Sequence, residues 1–163
     1  MKAQRTLKAR ALQWLAQREQ SRSELRRKLL PHAVAETDIE AGAAPAERVE
    51  ALLDWLEAHK YLSQERFVES RVHARAARFG NLRIRRELKQ HQAALTPEAA
   101  QALKASEFER ACTVLQRKFG NAPADREERA RQARFLAGRG FSPEVISRAL
   151  RRDDAGRHAT FNG

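Results

Sequence analysis

One pattern occurs three times in this chain, about 60 residues apart, and it limits the fold more than any other feature. The copies are Ser21-Arg22-Ser23-Glu24-Leu25-Arg26-Arg27-Lys28-Leu29, Gly80-Asn81-Leu82-Arg83-Ile84-Arg85-Arg86-Glu87-Leu88 and Ser142-Pro143-Glu144-Val145-Ile146-Ser147-Arg148-Ala149-Leu150. Each begins with a residue suited to start a helix. Each then carries an apolar pair four positions apart: Leu25/Leu29, Ile84/Leu88 and Ile146/Leu150. On a helix such a pair makes one buried stripe, and the arginines around it stay outside. Repetition at a fixed period marks a modular array, which presents a long surface rather than a single pocket. The pattern therefore favours binding of something extended over catalysis.

The rest of the chain is built from helix formers. Thr, Val and Ile together number 14 of 163 residues, while Ala, Leu and Arg dominate. The expected fold class is all-α. Cys112 is the one cysteine, so no disulfide framework is possible and a reducing, cytoplasmic compartment is expected. No apolar run reaches the roughly 18 residues that span a membrane. The opening Met-Lys-Ala-Gln-Arg lacks the apolar stretch of a signal peptide.

The 25 Arg and 7 Lys outweigh the acidic residues and leave a net charge of +11. The charge is blocked: residues 1–35 carry +7, 36–70 carry −6, 71–92 carry +6, 93–128 carry −1 and 129–163 carry +5. Such a balance favours a polyanionic or acidic partner. The plainer reading, that arginine-rich helices are solvated faces, weakens when three blocks fall in register with a repeat.

Nine helices follow from the punctuation. The first runs from about Ala3 to Arg18, with Leu7, Ala11, Leu12 and Leu15 on one stripe. Ser21 with Glu24 opens the second as a capping box, and Pro31 stops it. Residues 32–44 are an acidic linker. Pro45 opens the third, which carries Val49, Leu52, Leu53 and Leu56. Ser63 caps the fourth, and Gly80-Asn81 breaks the chain before the fifth. Thr96-Pro97-Glu98 starts the sixth, and Ser106 with Glu109 starts a seventh lined by Phe108, Cys112, Leu115 and Phe119. Asp125 with Glu128 opens the eighth, which Gly138-Arg139-Gly140 ends. Ser142-Pro143 opens the ninth, which fades near Arg152 into a frayed tail over 153–163. Trp14 and Trp55 fall among leucines at helical spacing and read as core. Nine helices at this period give three modules of three: 1–62, 63–105 and 106–152. The expected shape is an elongated, curved rod.

No catalytic motif is present. The glycines sit at helix ends and form no phosphate-binding loop. The five histidines are scattered, and Glu69 with His73 reads as a surface pair. No enzyme activity, cofactor or metal is expected. Arg71, Arg75 and Arg78 share one face of the fourth helix. Arg83, Arg86 and Lys89 share one face of the fifth, opposite Ile84 and Leu88. Arginine grips phosphate or carboxylate with two parallel bonds, so these six residues form a candidate docking patch. Secondary basic faces hold Arg22, Arg26 and Arg27 in the first module and Arg148 and Arg151 in the third. The patch lacks interleaved amides for reading base edges and exposed aromatics for stacking. Nonspecific phosphate contact stays open.

Three segments resemble the RecX family, bacterial regulators of the RecA recombinase. The first, within Ala11 to Leu30, holds Arg18, Ser21, Glu24-Leu25 and Leu29. The second holds Tyr61-Leu62, Phe67-Val68 and, after a basic helix, Gly80, Arg83-Ile84 and Glu87-Leu88. The third is Phe135-Leu136, Arg139-Gly140-Phe141-Ser142 and Ile146. Two departures stand at helix junctions. Ser63-Gln64 replaces the usual acidic residue or pair, and His91-Gln92-Ala93-Ala94-Leu95 replaces a segment that usually contains Gly-Ile. The resemblance implies three tandem three-helix repeats. It implies a monomer that binds RecA–DNA filaments in their groove, with direct DNA contact weak and no membrane involved. It also implies negative regulation of filament growth, strand exchange, ATP hydrolysis and coprotease activity, and with them a place in DNA repair, DNA recombination and the SOS response. A nonspecific DNA-binding or nucleoid-associated protein and a helical adaptor for an acidic protein are the other readings of the charge.

Overall fold

A computed structural model describes residues 5–36 and 42–159, with side chains placed through Arg152. The described residues form helices and turns, with no strand among them. The eight helices are α1 (Leu7–Gln17), α2 (Arg22–Ala35), α3 (Pro45–Ala58), α4 (Gln64–Ala76), α5 (Asn81–Gln90), α6 (Pro97–Phe119), α7 (Arg126–Gly138) and α8 (Pro143–Ala159). They divide into two compact units. The first holds residues 1–70 and 90–93, and the second holds 71–89 and 94–163.

All three apolar pairs are buried. Leu25, Leu29 and Ile84 have no exposed surface, and Leu88, Ile146 and Leu150 have almost none. In the first unit α2 packs on α3, with α1 against both. Ala11, Leu25, Leu29, Val49, Leu53 and Leu56 form its core, and Trp14 and Trp55 lie half-buried against it. In the second unit α6 packs on α7 and α8 around Ala111, Leu115, Leu136, Phe141 and Ile146. Phe108, Cys112 and Phe119 line the edge of that core.

Four expectations about helix ends are corrected. α1 begins at Leu7 with Thr6 as its cap, so Arg5 and Thr6 lie outside it; the earlier residues of that reading are outside the described ones. Pro31 does not stop α2, which continues to Ala35. A proline inside a helix costs roughly 3 kcal/mol. Burial of Leu29 before it and Ala33 after it supplies apolar stabilisation of the same order. The acidic linker is therefore shorter than its charge run, and residues 37–41 lie outside the described ones.

Ser106 starts no helix. Its hydroxyl donates to Leu103 O (3.3 Å) and accepts from Arg110 Nε (3.1 Å) within the continuous α6. From Glu98 to Phe119 neither Gly nor Pro interrupts the run, so nothing competes with helix propagation. The described residues therefore hold eight helices where nine were expected. Finally, α8 runs past Arg152 to Ala159, so the backbone over 153–159 is helical rather than frayed. The caps at Thr96, Ser63 and Asp125 form as their residue types dictate, accepting from Ala99 N (3.1 Å), Arg66 N (3.2 Å) and Glu128 N (2.8 Å).

Candidate partner-binding surface

In the first unit the cations are used internally. Arg22 on α2 reaches three carboxylates of α3: Glu50 (2.8 Å), Asp54 (2.7 Å) and Glu57 (2.7 Å). Arg26 also binds Glu50. Arg48 pairs with Glu36 and Arg66 with Glu19, each at 2.8 Å. Bonds from Arg26 and Arg22 hold the Glu50 carboxyl down at about 2. Burial would raise the Glu24 carboxyl, but hydrogen bonds from Arg18 and Lys28 outweigh it and keep it low. The positive block of α2 thus closes onto the negative block of α3. Of the secondary basic face, only Arg27 stands exposed without an ion pair of this kind.

The two departures from the family pattern meet in this unit. Gln64 Nε2 donates to Gln92 O at 3.1 Å. Gln92 itself takes a left-handed φ of 54°, a conformation that glycine adopts at less cost.

The second unit is arranged differently. Two backbone segments cross where the second and third copies of the repeat begin. Gly80 N donates to Arg139 O (2.9 Å) and Leu82 N to Gly140 O (3.0 Å). A side chain at Gly80 would sit 2.3 Å from the Gly140 and Phe141 backbone, so only glycine permits the crossing. Gly140 has φ +81°, and a side chain there would strike Arg83.

The crossing gathers four arginines around the buried ring of Phe79. The guanidinium of Arg83 lies 4.0 Å from the ring centroid, Arg75 and Arg139 at 5.4 Å and Arg78 at 5.7 Å. The ring's negative face attracts each of them. Glu87 accepts from Arg75 Nε (2.8 Å) and Arg83 Nε (3.4 Å). One carboxylate therefore pairs with two of the four guanidiniums, and the cluster keeps an excess of positive charge.

Two further side chains brace the crossing. Glu107, nearly buried on α6, accepts from Asn81 N (3.0 Å) and from Ser142 N (3.4 Å) and Oγ (3.5 Å). It thus serves the starts of α5 and α8 together, where a negative charge favours the helix dipole. Arg110 donates to Ala76 O (3.1 Å) and Phe79 O (2.7 Å), closing the end of α4. Burial pushes its pKa below the usual guanidinium value, and Glu107 opposes that shift.

Of the six patch residues, Arg75 and Arg83 face Glu87 and Phe79. Arg71 is partly buried, and Arg78, Arg86 and Lys89 are exposed. Arg148 lies 4.6 Å from the Phe108 ring, and Arg151 is exposed. Sequence reasoning missed Arg139 as a member of the cluster. Arg139 enters the sequence reading in the helix stop Gly138-Arg139-Gly140 and in the third RecX-like segment, and neither role places it beside α4.

The fold is that of a small all-helical protein whose first unit carries a net charge of +1 and whose second carries +10. A family model described as RecX, third three-helix domain, matches residues 105–150. A protein named Regulatory protein RecX from Ralstonia nicotianae is 51% identical over 153 residues, covering 92% of this chain and 89% of that protein. Its namesake in Neisseria meningitidis serogroup C is 34% identical over 154 residues, covering 93% of each. The crystal structure of RecX from Lactobacillus salivarius, 18% identical, shares the fold with a TM-score of 0.67, covering 91% of this chain and 95% of that one. The chain belongs to the RecX family of regulatory proteins. No helix among the described residues is long and apolar enough to cross a membrane.

Proposed function

We propose that this protein binds the RecA–DNA filament in its groove and negatively modulates RecA's recombinase, ATPase and coprotease activities. Family membership across nearly the whole chain supports the regulatory role. The observation that carries the binding surface is the division of charge. The first unit has a net charge of +1 and the second +10. The contact surface is Arg71, Arg75, Arg78, Arg83, Arg86 and Lys89, joined by Arg139. The chain acts as a monomer of three tandem repeats, 1–62, 63–105 and 106–152. The matched third domain, 105–150, supports the last of these boundaries. Several weak module contacts on a repeating partner add through effective concentration.

The test is RecA-dependent ATP hydrolysis on single-stranded DNA with equimolar protein present. The expected result is slowed hydrolysis; an unchanged rate would overturn the proposal. The charge of the second unit also favours a second reading, nonspecific DNA binding. Tight binding to bare DNA with a steep salt slope would select that reading. Weak bare-DNA binding beside tight filament binding would select the first.

A further inference from the structure

The second unit contains a cleft of about 360 Å³ lined by the C-terminal ends of three helices. Ala77 and Arg78 come from the end of α4, Val114, Arg117 and Lys118 from the last turns of α6, and Phe135 and Arg139 from the end of α7. Four of the seven lining residues are cations and none is a carboxylate. No ion pair joins any of the four to a carboxylate among the described residues.

A plain structural reading is that these cations balance the helix ends. Each C-terminus carries roughly half a negative charge. Three such ends offset about one and a half of four positive charges, so the cleft keeps a substantial excess. Its floor is apolar. Val114 is buried and Phe135 half-buried. Arg139 is held in place, 5.1 Å from the Phe135 ring and within 3.4 Å of Arg78 O. The volume falls near the small end of ligand pockets, roughly 300–1,000 Å³.

We infer that this cleft is a docking site for an acidic–apolar peptide segment of a protein partner, in which carboxylates flank an aliphatic or aromatic side chain. The cationic rim would grip the carboxylates, Arg78, Arg117 and Arg139 in bidentate fashion. The apolar side chain would cover Val114 and Phe135. A nucleic-acid backbone uses the rim but leaves that floor uncovered. The Phe135 ring already meets Arg139 and stands perpendicular to the Phe119 ring, with centroids 5.3 Å apart, so it serves as a wall rather than a stacking platform. The inference goes beyond the filament proposal: the cleft shares Arg78 and Arg139 with that surface, but it adds Val114, Arg117, Lys118 and Phe135, specifies the partner's chemistry and needs no RecA.

The test uses the full chain and a fluorescein-labelled peptide with glutamates on both sides of a Leu-Phe pair, followed by anisotropy at moderate salt. The expected result is saturable binding. It should weaken at least tenfold in Arg117→Gln/Lys118→Gln, whose exposed positions leave the fold intact by circular dichroism. Replacing Leu-Phe by Ser-Ser in the peptide should also weaken binding several-fold, and an oligothymidylate of equal charge should compete poorly. Unchanged binding by the double variant would overturn the inference, as would equal affinity for the Ser-Ser peptide. Displacement of the peptide by oligothymidylate at lower concentration would make the cleft a phosphate site instead. Because no filament is present, these outcomes are separate from the ATP hydrolysis result.

Discussion

The two units answer the same arginine-rich composition in opposite ways. In the first, the cations of α2 meet the carboxylates of α3 at 2.7–2.8 Å, and their charge is neutralised over an apolar core. In the second, four arginines crowd one phenyl ring with a single carboxylate between them, beside a backbone crossing that only glycine permits. A surface ion pair contributes little to stability, about 0–1 kcal/mol, but it does cancel a field. Cations left uncancelled on a packed scaffold instead project one. The contrast separates arginine used to build from arginine used to bind.

The largest stability effect should come from the backbone crossing. Gly80→Ala forces a methyl against the Gly140 and Phe141 backbone. It should destabilise the second unit by about 3 kcal/mol, as overpacking against an unyielding neighbour does. Thermal melts followed by hydrogen exchange should place the loss in the second unit while α2 and α3 keep their protection. Equal loss of protection in both units would break the contrast.

A smaller effect should separate the units by pH. The folded Glu50 carboxyl stands at about 2 against an ordinary 4.5. A group lowered in this way contributes stability that is complete above 4.5 and is lost as pH falls toward 2. The first unit should weaken across that window, by less than about 1 kcal/mol because Glu50 is partly exposed. Glu50→Gln should reduce the pH dependence over the same window, leaving the part that comes from Glu24, which is also held low. A window unchanged in that variant would assign it to another carboxylate.

Much of this was legible in the sequence, for identifiable reasons. The apolar pairs and most helix starts depend on local periodicity and cap chemistry, and all three pairs are buried as their spacing requires. Ser106-Glu109 carries the same local signal as Ser21-Glu24, yet forms no cap, because the surrounding Ala-rich run propagates helix straight through it. Ser21 accepts from Glu24 N at 3.1 Å, but the Glu24 carboxylate turns to Arg18 rather than closing the box. The grouping of Arg75, Arg78, Arg83 and Arg139 around Phe79 was only partly legible. Helical spacing gave the first three a shared region, but Arg139 joins through residues 61 positions away along the chain. Likewise, charge blocks show where cations are, and only the tertiary pairing of α2 with α3 shows which are neutralised.

The central claim is that binding charge resides on the second unit. Two matched double reversals at exposed positions test it most directly: Arg78→Glu/Arg86→Glu in the second unit and Arg27→Glu/Lys60→Glu in the first. Each pair changes the net charge equally, and helix content by circular dichroism checks that each variant is folded. The measurement is the affinity of each variant for RecA filaments on single-stranded DNA at moderate salt. The second-unit pair should lose more than tenfold, over about 1.4 kcal/mol, through like-charge repulsion at the contact surface. The first-unit pair should stay within about twofold of wild type, below roughly 0.5 kcal/mol. Equal losses in the two variants would show that net charge alone governs binding, and a larger loss in the first-unit pair would move the binding surface to the first unit.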